Sequence, residues 1–157
     1  MGTIAGEPRG VGGGGPAVSA DAELEIRNVL ARLAQLADDG DTDSYIALLT
    51  DDVVWAMPAN PTIGLAASER RGRDEIAAGQ RERIAAGHQG PGSNTMHVIS
   101  TISVQLDGDD RAVARSYFQY WGDTATAPVI RNMGRYHDEL RRTPDGWKLA
   151  RRSISFG

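Results

Sequence analysis

The 157-residue chain contains no cysteine. It therefore has no disulfide bond, no thiolate ligand for a metal and no cysteine nucleophile. It also lacks any stretch near the ~20 consecutive apolar residues that a membrane-spanning helix needs. Its N-terminus has neither the basic region nor the apolar region of a signal peptide. We expect a cytoplasmic protein without a membrane partner.

Basic residues do not outnumber acidic residues in this chain. The 17 lysines and arginines are outnumbered by 21 aspartates and glutamates, giving a net charge of −4. Because a nucleic-acid-binding face needs concentrated positive charge, this composition argues against a nucleic-acid partner. With 40% hydrophobic residues, the chain suits one domain that encloses a core and a small-molecule pocket. Residues 1–19 are glycine-rich and lack apolar periodicity, so we predict a flexible tail before a single domain at 20–157.

Apolar spacing predicts three helices followed by strands. The first helix should run from about residue 21 to residue 39 and end at Gly40, with further helices over 43–49 and 72–86. A strand is predicted over 51–57, and two hairpins over 96–121 and 132–155. This order predicts an α+β domain in which a strongly curved antiparallel sheet wraps around the helices as a cone with an interior pocket.

The end of the first helix and the start of one later strand carry groups suited to acid/base chemistry. Asp38 and Asp39 close the helix, and His97 opens the strand. If a carboxylate meets the imidazole in a cavity, it fixes the imidazole tautomer and the two form a general acid/base pair. By residue type alone, a helix-end aspartate is more often a cap and a lone strand histidine more often structural. Both interpretations stay open at this point.

The last predicted hairpin contains a second set of polar side chains that could lie in the pocket. Counting back from its turn pairs Asp138 with Arg151 beneath Tyr136 on the concave face. The ion pair either closes the pocket floor or supports Tyr136 as a hydrogen-bond donor to a substrate oxygen. His137 points to the opposite face and is predicted to be non-catalytic.

Aromatic and other side chains on consecutive strands are candidates for a substrate-binding wall, although ordinary core packing explains such residues equally well. The candidates are Trp55, Met57, Tyr117, Phe118, Gln119, Tyr120, Trp121 and Met133. They favour a flat, hydrophobic, cyclic ligand. No His/Asp/Glu cluster has metal-ligand spacing, and no phosphate loop or dinucleotide motif is present, so we expect no metal and no cofactor.

Six short motifs follow one another along residues 21–155. They are Asp-Asp-Gly-Asp at 38–41, Asp-Asp-Val-Val-Trp at 51–55, Gly-Arg-Asp-Glu-Ile at 72–76, Met-His-Val-Ile-Ser at 96–100, Gly-Arg-Tyr-His-Asp-Glu-Leu at 134–140 and Pro-Asp-Gly-Trp-Lys-Leu-Ala-Arg-Arg at 144–152. Their order resembles the SnoaL-like branch of the NTF2-like superfamily. The resemblance implies a cone-shaped fold. The superfamily includes polyketide cyclases, scytalone dehydratase, ketosteroid isomerase, an epoxide hydrolase and non-catalytic members, so fold alone does not decide function.

Scytalone dehydratase and a dehydrochlorinase in that superfamily use an Asp-His pair across the cone. The resemblance implies that Asp38 and His97 are this pair. Where scytalone dehydratase has a second histidine on the next strand, this chain has Ser-Tyr-Phe-Gln-Tyr at 116–120. We therefore expect a cofactor-independent lyase, isomerase or cyclase of the dehydratase type, acting on a small cyclic or polyketide-like carbonyl compound. His97 would be the base, Asp38 would orient it, and Tyr136 or Tyr117 would stabilise the enolate.

Other roles also fit the resemblance. A non-catalytic ligand-binding or assembly module would have a filled pocket or a His97 beyond reach of the aspartates. Two further alternative functions are those of an epoxide hydrolase and of a dioxygenase β subunit. The family also implies association between copies, and we expect a homodimer formed through the outer face of the sheet. The residues expected there are Ile102, Val104, Phe118 and Tyr120.

Overall fold

The computed structural model describes residues 20–157, so the predicted N-terminal tail lies outside the described residues. The helices are α1 (Ala20–Asp39), α2 (Thr42–Ala47) and α3 (Gly72–Ala85), with a 3-10 turn at Pro61–Ile63. The strands are β1 (Leu49–Met57), β2 (Ser68–Arg71), β3 (Met96–Asp107), β4 (Arg111–Gly122), β5 (Val129–Thr143) and β6 (Gly146–Phe156). No helix in this part of the chain has the length and apolar character needed to cross a membrane.

One six-stranded sheet carries the helices. Its strand order is β2-β1-β6-β5-β4-β3, and every neighbouring pair is antiparallel except β1 and β6. Helix α1 packs against β3 and β6, and α3 packs against β1. The core between helices and sheet includes the fully buried side chains of Ile26, Leu30, Leu33, Leu140 and Leu149. The predicted α+β architecture is confirmed, whereas β2 and the parallel pairing of β1 with β6 were not predicted.

Helix α1 ends where the sequence predicts, because Gly40 closes it with a left-handed backbone, φ +74°. The Gly40 amide bonds to Ala37 O, and the Asp41 amide bonds to Leu36 O, which is the double closure of a Schellman motif. A Cβ at Gly40 would meet Cδ of Pro91 at 2.9 Å. This termination places Asp38 in the last helical turn, at the edge of the sheet.

A bulge in β3 changes which residues face inward. Thr101 has φ +53°, and the register with β4 shifts between Ser100 and Ser103. The extra residue turns Ile102 and Val104 toward α1, where they pack against the core. On β4, Phe118 and Tyr120 pair with residues of the concave face and line the interior. The prediction that Ile102, Val104, Phe118 and Tyr120 lie on the outer face of the sheet is therefore wrong.

A second bulge lies between β5 and β6. Leu140 pairs with Leu149 as predicted, but Glu139 pairs with Arg151 and Asp138 with Arg152. Ala150 is the extra residue of the bulge. The side chains of β6 that follow it therefore lie on the face of the sheet opposite to the one predicted. The predicted Asp138–Arg151 pair is wrong, and Arg152 occupies the buried position instead.

Candidate active site

A cavity of about 610 Å³ lies between the helices and the concave side of the sheet. Its wall combines aliphatic groups from α1 and α3 with aromatic groups from the strands. The polar side chains reaching it include those of His97, Tyr136 and Arg83. Such a space holds a one- or two-ring organic molecule with a few polar groups fixing its orientation.

Asp38 and His97 meet at one side of this cavity. Oδ1 of Asp38 is 2.7 Å from Nδ1 of His97, and Oδ2 accepts the backbone N–H of His97 at 2.8 Å. Both side chains are largely buried, with exposures of 18% and 14%. The carboxylate thus holds the residue by backbone and ring together, whereas Asp39 is exposed. Asp38, not Asp39, is the carboxylate that contacts the histidine.

This contact determines the form of the imidazole. A carboxylate only accepts hydrogen bonds, so in the neutral imidazole of His97 the hydrogen is on Nδ1 and the lone pair is on Nε2. Nε2 has no hydrogen-bond partner among residues 20–157, and the ring lines the cavity. Its centre is 5.0 Å from that of Tyr120, at an angle of 38°. A basic nitrogen in a fixed orientation is therefore available to a molecule in the cavity.

Tyr136 lies on the sheet floor of the same cavity. Its ring stacks on Phe118 with centroids 4.6 Å apart. Burial raises the pKa of Tyr136 above its usual value, while the nearby Arg152 guanidinium opposes the shift. The phenol consequently stays protonated across the neutral range, so its hydroxyl can donate a hydrogen bond but is not a base there.

A buried ion pair supports this floor. Nε and Nη2 of Arg152 donate to the two carboxylate oxygens of Asp138, each at 2.7 Å, and the two residues are 4% and 0% exposed. Cζ of Arg152 lies 3.8 Å from the ring centre of Tyr136 and 5.0 Å from that of Trp55. The pair fixes the guanidinium plane, and the guanidinium packs against both rings.

The predicted substrate-binding residues divide between the two faces of the sheet. Trp55 and Met57 line the cavity. Tyr117, Gln119 and Trp121 alternate with the lining residues of β4 and lie on the outer face. For these three residues, the predicted cavity position is wrong because strand side chains alternate.

Arg151 lies away from the cavity because of the β6 bulge, and Asp138 lies beneath its wall, bonded to Arg152.

Several cavity residues were not among the predicted site residues. Tyr45 of α2 is 2% exposed and lines the cavity, where burial raises its pKa. Arg83 of α3 and His88 of the following loop also line it. The periodicity of α2 and α3 contained a signal for Tyr45 and Arg83, since both lie on helix faces turned to the sheet. In the described chain, no group of three or more His, Asp or Glu residues is arranged to hold a metal.

Similarity to known proteins agrees with this architecture. A family model for a SnoaL-like domain matches residues 18–153. The chain belongs to the SnoaL-like family. A solved NTF2-like protein with a cystatin-like fold from Novosphingobium aromaticivorans is 26% identical, with 87% of this SnoaL-like chain and 82% of that chain covered, at a TM-score of 0.70. A comparison with curated proteins finds no match.

Two further solved proteins from the same organism share the fold. One is provisionally named a scytalone dehydratase, with 20% identity, coverage of 88% of this chain and 89% of that chain, and a TM-score of 0.69. The other is the β subunit of a provisionally named aromatic-ring-hydroxylating dioxygenase, with 19% identity, coverage of 89% and 92%, and a TM-score of 0.71. At these identities the two likenesses show the fold alone, and the NTF2-like fold predicted for this SnoaL-like chain is confirmed.

Proposed function

We propose that this SnoaL-like protein is a cofactor-independent acid/base enzyme of the dehydratase type. The observation that carries the proposal is the two-point contact of Asp38 with the ring and backbone of His97. A merely structural histidine needs no unpartnered nitrogen facing a cavity. Here Nε2 is left free while the other nitrogen is held by a carboxylate, which is the arrangement of a general base.

The proposed substrate is a small cyclic or polyketide-like compound with a hydroxyl group β to a carbonyl. His97 Nε2 removes a proton from the carbon between them, and the C–H electron pair forms an enolate. The Tyr136 phenol donates a hydrogen bond to the enolate oxygen, while Asp38 stabilises the imidazolium. As the enolate collapses, the C–O bond breaks and the hydroxyl leaves as water with the proton carried by His97. The products are an enone and water.

The cavity wall supports a ring-bearing substrate. Trp55, Tyr120 and Phe118 present aromatic surface to the interior, and Ile99 and Leu33 add aliphatic surface. Such a wall binds a flat apolar ring by burial and stacking.

A synthetic β-hydroxy ketone tests the reaction. Loss of water from 3-hydroxy-1-tetralone gives an enone that becomes the fluorescent 1-naphthol, so turnover can be followed directly. We expect 1-naphthol formation by the wild-type protein after dialysis against a chelator, and none above background with His97→Gln. Equal rates for wild type and His97→Gln, or activity that requires added zinc, would contradict the proposal.

We also propose that the protein forms a homodimer through the outer face of β3, β4 and β5. Exposed apolar side chains cluster there: Met96 is 50% exposed, Val98 37%, Ile130 46% and Met133 54%. Cross-strand pairing joins them into rows, Met96 with Trp121 and Ile130, and Val98 with Gln119 and Met133. A contiguous apolar patch of this kind favours burial against a second copy.

Light scattering at micromolar concentration tests the dimer. Met133→Lys should shift the protein toward monomer, while Leu24→Lys, at a similarly exposed side chain on α1, should leave the mass unchanged. A wild-type monomer would overturn the proposal.

A further inference from the structure

One cationic side chain in the cavity has no carboxylate partner. Four arginines line the cavity, and three of them are neutralised. The neutralised pairs are Arg70 with Glu82, Arg131 with Asp123, and Arg152 with Asp138. Arg83, half-buried on α3, makes no ion pair within residues 20–157. The cavity therefore contains a positive charge that no described side chain balances directly.

The structure holds Arg83 by one nitrogen and leaves the others free. Nε donates to Oε1 of Gln89 at 2.8 Å, and Gln89, which is 2% exposed, donates in turn to Gln80. Neither terminal nitrogen of Arg83 has a hydrogen-bond partner in the described chain. A long side chain fixed at Nε with its two terminal nitrogens unused is prepared for bidentate binding of an anion.

Arg83 and the proposed base lie beside the same aromatic ring. Cζ of Arg83 is 6.0 Å from the ring centre of Tyr120, and the His97 ring centre is 5.0 Å from it. The Tyr120 hydroxyl donates to the carbonyl oxygen of His88, which ties the ring to the loop after α3. Arg83, Tyr120 and His97 are therefore neighbours along one part of the cavity wall.

The field of Arg83 also extends to the cavity floor. Burial raises the pKa of Tyr136 and of Tyr45, and the positive charge of Arg83 is one of the groups that oppose the shift in each case. In both cases the contribution of Arg83 is small beside that of burial, and it has the same direction as that of Arg152.

We propose that the natural substrate is a monoanion whose carboxylate binds Arg83 while its carbonyl portion lies between His97 and Tyr136. The inference rests on the proposed function, because it names the substrate class of that same site. A single carboxylate fits better than a dianionic phosphate, since only one of the four lining guanidiniums lacks an acid. A planar guanidinium fork also matches a carboxylate in geometry.

Binding of matched acid and amide pairs tests this without any turnover. Benzoate, 1-naphthoate and 2-naphthoate would each be titrated against the corresponding neutral amide by calorimetry. In the wild type, at least one acid should bind about 10 to 100 times more tightly than its amide, as a charge-assisted bidentate contact provides. Arg83→Gln should remove this preference, because it should weaken binding of the acid far more than binding of the amide. Arg83→Lys should keep part of it, because the charge remains.

Arg81→Gln is the matched control, since Arg81 lies on the same helix, pairs with Asp43 and does not line the cavity. It should bind like the wild type. His97→Gln should also keep the acid preference, so a failure of the proposed chemistry remains separate from a failure of this inference. A second measurement needs no variant protein: the acid should shift the Arg83 Nε–Hε resonance, and the amide should not. No acid preferred over its amide in the wild type, or a preference unchanged in Arg83→Gln, would overturn the inference.

Discussion

Replacing Asp138 by asparagine should strongly destabilise the fold. The side chain keeps its shape but loses its charge, which leaves the Arg152 guanidinium buried without a counter-ion. The partners are 0% and 4% exposed and are joined by two hydrogen bonds of 2.7 Å, so water cannot replace the lost interaction. Breaking a buried pair on one side costs about 3–5 kcal/mol of unfolding free energy.

Urea denaturation followed by tryptophan fluorescence measures this loss. With a slope of about 2 kcal/mol/M, the midpoint should fall by about 2 M. Asp52→Asn is the control, because it breaks a second cross-strand Asp–Arg pair whose side chains, Asp52 and Arg141, are 68% and 44% exposed. That change should cost less than about 1 kcal/mol. If Asp138→Asn is no more destabilising than Asp52→Asn, the buried pair does not have the structural role assigned to it.

Two further outcomes are expected. Asp38→Asn should slow dehydration of 3-hydroxy-1-tetralone by at least about 100-fold, because an amide can hold the imidazole in the wrong tautomer, while Asp39→Asn should have no effect. Burial raises the pKa of Tyr45, so its contribution to stability is complete below about pH 10 and is lost at higher pH, where the unfolded chain ionises first. Urea midpoints at increasing alkaline pH should therefore fall less steeply in Tyr45→Phe than in the wild type.

Local patterns predicted most of the fold. The spacing of Ile26, Leu30 and Leu33 fixes the buried face of α1, and Gly40 supplies the conformation that ends it. The turns of both hairpins were recognisable for the same reason, since they depend on a few adjacent residues. The position of Asp38 at the helix end and His97 at the strand start follows from these elements, so their contact was predictable once the family resemblance was added.

Features that depend on distant contacts were not predictable. The bulge at Ala150 exchanges the faces of Arg151 and Arg152, and the bulge near Thr101 turns Ile102 inward. Each bulge adds one residue to a strand and reverses every side chain beyond it, and neither position carries a glycine that would indicate it. The periodicity of α3 indicates that Arg83 faces inward, but the absence of an acidic partner for Arg83 is visible only in the spatial arrangement.

Hydrogen–deuterium exchange at carbon tests the central claim most directly. The claim is that His97 removes a proton next to a carbonyl group, and incorporation of deuterium at C2 of 1-tetralone in D₂O reports that step alone by NMR. We expect exchange above the buffer rate with the wild type and with His137→Gln, whose histidine lies exposed on the outer face of β5. With His97→Gln, the catalysed rate should fall by about 100-fold or more. Exchange by His97→Gln as fast as by the wild type, or no catalysis by the wild type with any cyclic ketone tested, would contradict the account.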